Sequence, residues 1–220
     1  MIKIKRIKNR LIIYILFIKL SFRISNNKII LIDENGLKKK CRKVKGLNIK
    51  FTGMNSKIII HSPVKNFYDC NIKINNNSVV EFQSNCNINR FNAEIGSHSK
   101  IKIGKNFYCG SVNTFVDNHS SLIIGNNCMF SNDIRIRCGD GTAHKVIDLE
   151  TNTKKSLSGH ITIEDHVWAG LNATILKKAH VKRDSIIGTC AVVAKEFEEA
   201  NVAIAGNPAQ IVSRNITWES

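Results

Sequence analysis

Several patterns are scarce or missing in this 220-residue sequence, and each absence excludes a class of protein. Two prolines and 43% hydrophobic residues are typical of one folded domain with a full core, not of a disordered chain. The seven cysteines form no Cys-x-x-Cys pair and no other spacing of a metal site. We therefore expect reduced, buried thiols in a cytoplasmic protein.

Long apolar runs are also missing from the amino-terminal region. Residues 11–18 form a run of eight apolar residues, whereas a membrane-spanning helix needs about 20. No small-residue cleavage site follows the run, so we expect no secretory leader.

Acidic residues are nearly absent from one end of the chain. The net charge is +16, and residues 1–50 hold 15 of the 33 Lys and Arg against two acidic residues. The other 170 residues are close to neutral, at +3. A near-neutral body offers no extended surface for phosphates, so we expect no nucleic-acid partner. The basic and apolar end is interpreted either as a cap on the fold or, through residues 1–23, as a contact with an anionic membrane.

A six-residue period marks the carboxy-terminal half of the chain. Positions that step by six from residue 163 are β-branched, except for Ala169. They are Ile163, Ile175, Val181, Ile187 and Val193. The positions four residues further on are mostly small. This period predicts a three-sided parallel β-helix with the aliphatic side chains pointing inward.

A longer period extends the β-helix toward the amino terminus. Ser78, Ser99 and Ser120 each precede a short β-prone segment at 21-residue spacing, and Ser56 lies 22 residues before the first of them. Each period corresponds to one three-sided coil.

The period is interrupted once, between Ile124 and Ile163. We interpret these 39 residues as a 21-residue coil followed by an 18-residue one, with a polar excursion loop at residues 138–158. The expected organisation is therefore an amino-terminal segment (1–50), the β-helix (51–198) and a carboxy-terminal strand and tail (199–220).

An ordered set of motifs resembles the hexapeptide-repeat acyltransferases over roughly residues 78–212. The motifs are Met129-Phe130-Ser131, Arg137, Asp140-Gly141 with His144, His166-Val167-Trp168-Ala169-Gly170, Ile187-Gly188, Ala194-Lys195 and Ala205-Gly206-Asn207-Pro208-Ala209. The maltose and galactoside acetyltransferase branch and the bacterial polysaccharide O-acetyltransferases are the most similar. The resemblance implies an all-β fold, the left-handed parallel β-helix, in homotrimers with active sites between adjacent subunits.

The resemblance also implies a catalytic base. His144 precedes Trp168 by 24 residues, which is the family's spacing, and would remove the proton of an acceptor hydroxyl for direct attack on an acetyl thioester. A positioned imidazole suits this task near neutral pH. Asp140 and Asp148 flank His144 at −4 and +4, and either carboxylate is a candidate to orient the ring.

The implied co-substrate is acetyl-CoA. The residues that align with its site are Trp168, Gly170, Leu171, Thr189, Ala194, Lys195, Gly206, Pro208, Gln210 and Arg214. Trp168, Gly170 and Leu171 are expected along the pantetheine arm, and Gln210 and Arg214 near the nucleotide phosphates. Two departures from the family concern this site: Ala194 replaces a frequent threonine, and Gln210 replaces an expected basic residue. The expected acceptor contacts are Trp168, Asn113 and Asp117.

Other chemistry at the loop is less well supported. A zinc site on such a helix needs three convergent histidines, and Ser185 stands where a partner of His144 and His180 would be needed, so we expect no metal. Nothing in the sequence marks Cys138 as an activated nucleophile. The remaining histidines considered are expected to be exposed coil residues: His61, His98, His119, His166 and His180.

The sequence thus predicts an acetyl-CoA-dependent O-acetyltransferase that acts on a sugar hydroxyl. The acceptor is expected to be a bacterial surface polysaccharide, capsule or O-antigen, or its precursor, modified in the cytoplasm or at the inner face of the membrane. Two alternatives remain: acetylation of a small acceptor (a free sugar, an amino-sugar nucleotide, serine or an antibiotic) on the same fold, and a non-catalytic β-helix that serves as a scaffold. The missing amino-terminal glycine fingerprint disfavours the two-domain sugar-nucleotide N-acetyltransferases.

Overall fold

A computed structural model describes residues 2–7, 10–15, 18–23, 25–141, 146–155 and 158–219, the first three ranges by their backbone alone. The described residues form strands and turns and no helix. The amino-terminal strands are β1 Ile2–Ile7, β2 Arg10–Ile15, β3 Ile18–Arg23, β4 Lys28–Ile32, β5 Lys38–Cys41, β6 Leu47–Phe51, β7 Lys57–His61, β8 Asn66–Phe67 and β9 Cys70–Ile74. The central strands are β10 Val79–Phe82, β11 Asn87–Ile95, β12 Lys100–Ile103, β13 Tyr108–Val116, β14 Ser121–Ile124, β15 Met129–Phe130, β16 Ile134–Cys138, β17 Ile147–Asp148 and β18 Thr153–Lys154. The carboxy-terminal strands are β19 His160–Ile163, β20 Trp168–Ala169, β21 Thr174–Leu176, β22 His180–Val181, β23 Ile186–Ile187, β24 Val192–Val193, β25 Glu196–Phe197, β26 Val202–Gly206 and β27 Ala209–Arg214.

These strands stack into the three faces of a solenoid. Face one comprises β4, β7, β10, β12, β14, β19, β22 and β25, all parallel, with β5 antiparallel at its end. Face two comprises β8, the first parts of β11 and β13, then β15, β20, β23 and β26, with β27 antiparallel at its end. Face three comprises β6, β9, the second parts of β11 and β13, β16, β21 and β24. The predicted left-handed parallel β-helix is confirmed.

A column of buried serines explains the 21-residue period. Ser78, Ser99 and Ser120 lie at the corner where face three turns into face one, each directly below the next. The Ser78 hydroxyl accepts a hydrogen bond from the Ser99 backbone N–H at 3.0 Å, and the Ser99 hydroxyl accepts one from Ser120 at 3.2 Å. Serine is suited to this corner because its side chain satisfies backbone groups that the turn leaves without a strand partner.

The interpretation of residues 124–163 as two coils is wrong. Ile124 pairs directly with Ile163, so the 39-residue step is a single coil. The Ser120 hydroxyl accepts the backbone N–H of Gly159 at 3.0 Å, which continues the serine column across the step. The additional residues therefore leave the solenoid as one excursion loop between β16 and β19, at the corner from face three to face one.

The six-residue period places its aliphatic side chains in the core, as predicted. Ile163, Ile175, Val181, Ile187 and Val193 are all fully buried. The small residues four positions further on are buried as well, and Ala173, Ala179 and Ala191 let the chain turn closely around the core. Because each coil contacts its two neighbours, burial of this apolar column stabilises the whole stack.

The amino-terminal segment has two different parts. Strands β1, β2 and β3 form an antiparallel sheet of their own. Parallel stacking starts at β4 on face one and at β6 on face three, and both strands begin before residue 51. Within the described residues, no helix has the length and hydropathy needed to span a bilayer.

Candidate functional site

The base of the excursion loop is held by a buried carboxylate. Asp117, at the end of β13, is only 4% exposed, and its Oδ2 accepts the backbone N–H of Gly141 at 3.0 Å. Its Oδ1 accepts the N–H of Asn118 at 2.7 Å. Gly139 also forms an antiparallel bridge with Ser158, which joins the two ends of the loop. Asp117, which we expected to contact the acceptor, thus binds loop backbone with both carboxylate oxygens.

The two aspartates expected near the base both have lysine partners. Asp140 forms an ion pair with Lys177 of the following coil, a residue that the motifs did not indicate. Asp148 lies on β17 of the loop hairpin and forms an ion pair with Lys155 at 3.1 Å. The backbone N–H of Thr151, followed by the Lys155 ammonium, keeps the pKa of Asp148 below its ordinary value.

His144, the predicted base, lies outside the described residues, as do positions 142, 143 and 145. It follows Gly141, the anchored glycine, by three residues. A pocket of about 420 Å³ opens beside the described start of the loop, at Gly139 and Asp140. Its lining residues are Arg137, Gly139, Asp140, Leu176, Lys177, Lys178 and Ala194. The two aspartates of the prediction therefore lie before and after His144 in the sequence of a loop that is hydrogen-bonded at its base.

Trp168 forms an aromatic cluster with a residue that the motifs missed. Trp218, near the carboxy terminus, stacks on the His166 ring at 4.3 Å between centroids and donates its indole N–H to the His166 carbonyl at 2.9 Å. The two indoles lie 6.3 Å apart. Trp218 is 9% exposed and Trp168 36% exposed, so Trp168 is the more exposed of the two indoles. The sequence signal for Trp218 was weak: it is one of only two tryptophans, in a segment predicted to be a tail.

Three of the expected coenzyme residues meet at the edge between faces two and three. Gly170 and Leu171 form the turn of one coil, and Thr189 lies in the equivalent turn of the next coil. A Cβ on Gly170 would approach the Thr189 nitrogen to 2.8 Å, so only glycine allows this close stacking. Leu171 is exposed, and its carbonyl accepts the backbone N–H of Cys190 at 2.9 Å.

The remaining coenzyme candidates cluster at the carboxy-terminal end of the solenoid. The Lys195 ammonium donates to the Gln210 side-chain oxygen at 2.8 Å, while Ala194 is exposed beside it. Arg214 binds both carboxylate oxygens of Glu199, at 2.7 and 3.1 Å. This contact raises the pKa of Arg214 and lowers that of Glu199.

A tight turn joins the last two strands next to these residues. Gly206 has φ of +98°, a conformation that favours glycine, and the peptide bond before Pro208 is cis. The turn leads from β26 into β27, which carries Gln210 and Arg214.

Asn113, the other expected acceptor contact, is part of a polar ladder. It lies on face three, away from Trp168 on face two, and its side-chain oxygen accepts an N–H of Asn92 at 3.1 Å. The structure therefore does not bring the three expected acceptor contacts together within one chain.

The expectation that the coil histidines are exposed is wrong for three of them. Each of the three is partly buried and forms an ion pair or hydrogen bond with a carboxylate on a neighbouring coil. The pairs are His61 with Glu81 at 2.9 Å, His166 with Asp184 at 2.9 Å and His180 with Glu164 at 2.8 Å. His98 and His119 are exposed as expected, and their rings stack at 5.0 Å. Contacts between coils join residues about one period apart, which inspection of each motif alone does not show.

The cysteines are free thiols, and five of the seven are buried. Burial raises the pKa of Cys138 to about 12, which makes this thiol a poor nucleophile beside the loop. Cys190 is exposed on the turn that follows Thr189. In the described part of the chain, no group of three His, Cys, Asp or Glu side chains is arranged to hold a metal ion.

The chain is similar to polysialic acid acetyltransferases in sequence and in structure. A polysialic acid O-acetyltransferase from Escherichia coli O1:K1 / APEC is 31% identical to the chain over 93 residues, which are 42% of this chain and 29% of that relative. The crystal structure of NeuO, a polySia specific acetyltransferase, superposes with a TM-score of 0.76 at 26% identity, covering 89% of this chain and 79% of that one. No protein-family model matches the chain. The predicted resemblance to the hexapeptide-repeat acyltransferases, and to their polysaccharide O-acetyltransferase branch, is thus confirmed in sequence and in fold.

Proposed function

We propose that the chain transfers an acetyl group from acetyl-CoA to a sugar hydroxyl of an acidic bacterial surface polysaccharide or its precursor. The observation that carries the proposal is the likeness to NeuO, which extends over 89% of the chain and includes the solenoid. The polysialic acid O-acetyltransferase relative supports an acidic glycan as the acceptor class.

His144 is the proposed general base. Its imidazole takes the proton of the acceptor hydroxyl while the oxygen attacks the thioester carbonyl. The tetrahedral adduct then collapses, the C–S bond breaks, and the thiolate of coenzyme A takes the proton from the imidazolium. The supporting observation is the hydrogen-bonded base of the loop, since the contact of Gly141 with Asp117 positions the chain three residues before His144.

The carboxylate that orients His144 is proposed to be Asp140 or Asp148. Asp140 is held by Lys177 beside the 420 Å³ pocket, and Asp148 is held within the loop hairpin. A carboxylate that accepts from one ring nitrogen leaves the other nitrogen as the acceptor of the substrate proton.

Acetyl-CoA is proposed to bind along the edge formed by Trp168, Leu171 and Thr189. The exposed indole and the exposed leucine offer apolar surface for the pantetheine arm. Lys195 and Arg214 are cations for the nucleotide phosphates, and both would exchange a protein partner, Gln210 and Glu199, for phosphate oxygens.

A homotrimer is supported by the positions of these parts in one chain. The loop leaves at the corner from face three to face one, whereas Trp168 and Thr189 lie on face two and on the edge between faces two and three. Within one chain, the loop and these coenzyme residues therefore lie on different edges of the solenoid. A neighbouring copy is needed to bring a loop next to the proposed coenzyme edge. Residues 1–23 are proposed either to cap the open end of the β-helix or to lie on an anionic membrane, the latter in keeping with their positive charge.

The direct test is acetyl transfer by the full chain with His144→Ala. We expect release of the coenzyme A thiol with polysialic acid as acceptor, and a loss of about 10²–10⁴ in kcat for the variant. His98→Ala, an exposed histidine on the same corner but in a turn two coils before the loop, is the matched control and should retain the wild-type rate. Undiminished turnover by His144→Ala would refute the base assignment. Transfer to maltose but not to polysialic acid would move the proposal to a small acceptor.

A further inference from the structure

A groove of about 660 Å³ runs across the outer surface of face three. It crosses the coils along the axis of the solenoid and shares Arg137 with the smaller pocket at the loop base. Its lining residues are Asn48, Lys50, Asn71, Ile72, Lys73, Asn92, Ala93, Glu94, Asn113, Thr114, Phe115, Arg135, Arg137 and Thr174. Two columns of outward-facing side chains, two residues apart along each strand, form its floor.

The first column is a ladder of four asparagines on β6, β9, β11 and β13. Each side-chain N–H donates to the oxygen of the next amide, at 3.1 Å from Asn48 to Asn71, 3.0 Å from Asn71 to Asn92 and 3.1 Å from Asn92 to Asn113. An amide has two donors and two lone pairs, so the ladder retains capacity to bind hydroxyl groups. Its step equals the spacing of stacked strands, about 4.8 Å, which is comparable with the length of one sugar residue.

The charged groups give the groove a positive balance. Four cations, Lys50, Lys73, Arg135 and Arg137, line it together with one carboxylate. Only Lys73 is paired with that carboxylate, Glu94, at 3.2 Å. Arg137 lies over the Phe115 ring at 4.6 Å from its centroid. Among the described residues, Lys50 and Arg135 have no carboxylate within ion-pair distance, so both are available for an anionic ligand.

The groove is continuous with the loop base. Arg137 lines both the groove and the 420 Å³ pocket that contains Asp140. A chain that lies along the asparagine ladder would therefore run directly to the loop that carries His144.

We propose that the face-three groove binds an extended acidic glycan along the solenoid axis, and that it holds the polymer while one sugar residue reaches the loop. The asparagine ladder binds sugar hydroxyls, and Lys50 and Arg135 bind carboxylates of the glycan. This inference rests on the proposed function for the direction of the chain, whereas the binding of an acidic polymer is measurable without any transfer.

The test is the affinity of the full chain for polysialic acid, measured by calorimetry with Lys50→Gln/Arg135→Gln. We expect the affinity to fall about fivefold or more, as for the loss of two exposed ionic contacts, and the salt dependence of binding to weaken. Lys57→Gln/Lys100→Gln removes two cations from face one, where both side chains lie in one column, and is the matched control. Neutral dextran of similar length should bind wild type and Lys50→Gln/Arg135→Gln with the same affinity.

Three results would overturn the inference. The first is an equal loss of affinity in the face-one control, which would indicate a general charge effect. The second is an unchanged affinity in Lys50→Gln/Arg135→Gln. The third is a change of oligomeric state in that variant by light scattering, which would make face three an interface between copies of the chain. Acetyl transfer that persists in the variant with a short sialic acid acceptor would leave the proposed function intact in each case.

Discussion

The carboxylate of Asp117 anchors the excursion loop by accepting the backbone N–H of Gly141, 24 residues further along the chain, at 3.0 Å. The contact joins the end of β13 to the first part of the loop, one coil above it. Because Asp117 is buried and its other oxygen binds Asn118, the carboxylate has a fixed orientation. The position of the loop is therefore determined by a residue of the preceding coil.

Asp117→Asn should loosen the loop without unfolding the solenoid. The asparagine side chain has one oxygen and one NH₂ group. The backbone N–H of either Gly141 or Asn118 would therefore face this NH₂ group and lose its acceptor. Leaving a buried donor without a partner costs about 1–3 kcal/mol, and we expect hydrogen exchange at Gly141 to accelerate about fivefold or more. Acetyl transfer should fall in parallel, through the proposed position of His144.

The control for this variant is Asp33→Asn. Asp33 accepts two backbone N–H groups with one oxygen, Oδ1, from Asn35 at 3.0 Å and Leu37 at 2.8 Å, in an exposed turn far from the loop. This variant should leave exchange at Gly141 unchanged. Equal exchange rates at Gly141 in wild type and Asp117→Asn would contradict the anchoring role.

Cys190 should report on coenzyme binding. It is the exposed cysteine on the turn after Thr189, and its N–H binds the Leu171 carbonyl, so it adjoins two proposed coenzyme contacts. Iodoacetamide should alkylate Cys190 faster than the five buried thiols. Coenzyme A at about ten times its Kd should slow this labelling about tenfold, because free sites then become rare.

Cys41 provides the internal control for the labelling experiment. It is partly exposed and lies on β5 at the opposite end of the solenoid. Coenzyme A should not change its labelling rate, which peptide mass spectrometry resolves from that of Cys190. If coenzyme A protects neither cysteine, the proposed edge at Leu171 and Thr189 is not the coenzyme site.

The fold was predictable because its core repeats in the sequence. The interior of a narrow coil accepts one aliphatic side chain per side, so Ile163, Ile175 and Val181 recur at a period that no helix produces. The serine corners are equally regular, since Ser78, Ser99 and Ser120 each satisfy the same backbone groups. The step from Ile124 to Ile163 was interpreted wrongly because an inserted loop and an additional short coil have the same length in sequence.

The site was less predictable because its contacts cross between coils and between distant segments. Trp218 reaches His166 over 52 residues, and no local pattern indicates that a tail residue will return to the solenoid. Lys177 pairs with Asp140 in the same way, from the next coil. Motifs identify residues on one turn, whereas the electrostatic environment of each residue depends on the turns above and below it.

Trp218→Ala should weaken both the stability of the solenoid and the binding of acetyl-CoA at the proposed edge. The indole is largely buried against His166, so its loss should lower the free energy of unfolding by about 3 kcal/mol. Trp168 then loses its aromatic neighbour, and we expect KM for acetyl-CoA to rise with a smaller change in kcat. Tryptophan fluorescence of the variant reports on the environment of Trp168 alone, because the chain has two tryptophans and Trp218 has been replaced.

Trp218→Phe separates stacking from hydrogen bonding in this cluster. Phenylalanine retains an aromatic face against His166 but cannot donate to its carbonyl. We expect most of the affinity for acetyl-CoA to be retained. A KM for acetyl-CoA that is unchanged in both variants would show that the cluster does not position Trp168 for coenzyme binding.

Glu164 should make the stability of the solenoid depend on pH in the acidic range. Burial alone raises the pKa of its carboxyl. Hydrogen bonds from His180, the backbone N–H of Arg183 and Lys182 outweigh this effect, so the pKa lies below its ordinary value of 4.5. A depressed pKa means that the folded state binds the proton less readily than the unfolded state, so this contribution to stability is complete above the ordinary pKa and is lost as the pH falls through the lower, folded value.

Glu164→Gln should therefore be less stable than wild type near neutral pH and approach it in acid. Urea unfolding at several values between about pH 3 and pH 7 measures the difference between the two proteins. We expect that difference to shrink steadily as the pH falls below 4.5, the ordinary pKa of the carboxyl. Glu34→Gln, in an exposed turn, is the control and should show no such convergence. A constant difference between Glu164→Gln and wild type across the range would mean that the pairing of Glu164 with His180 and Lys182 adds no stability through ionisation.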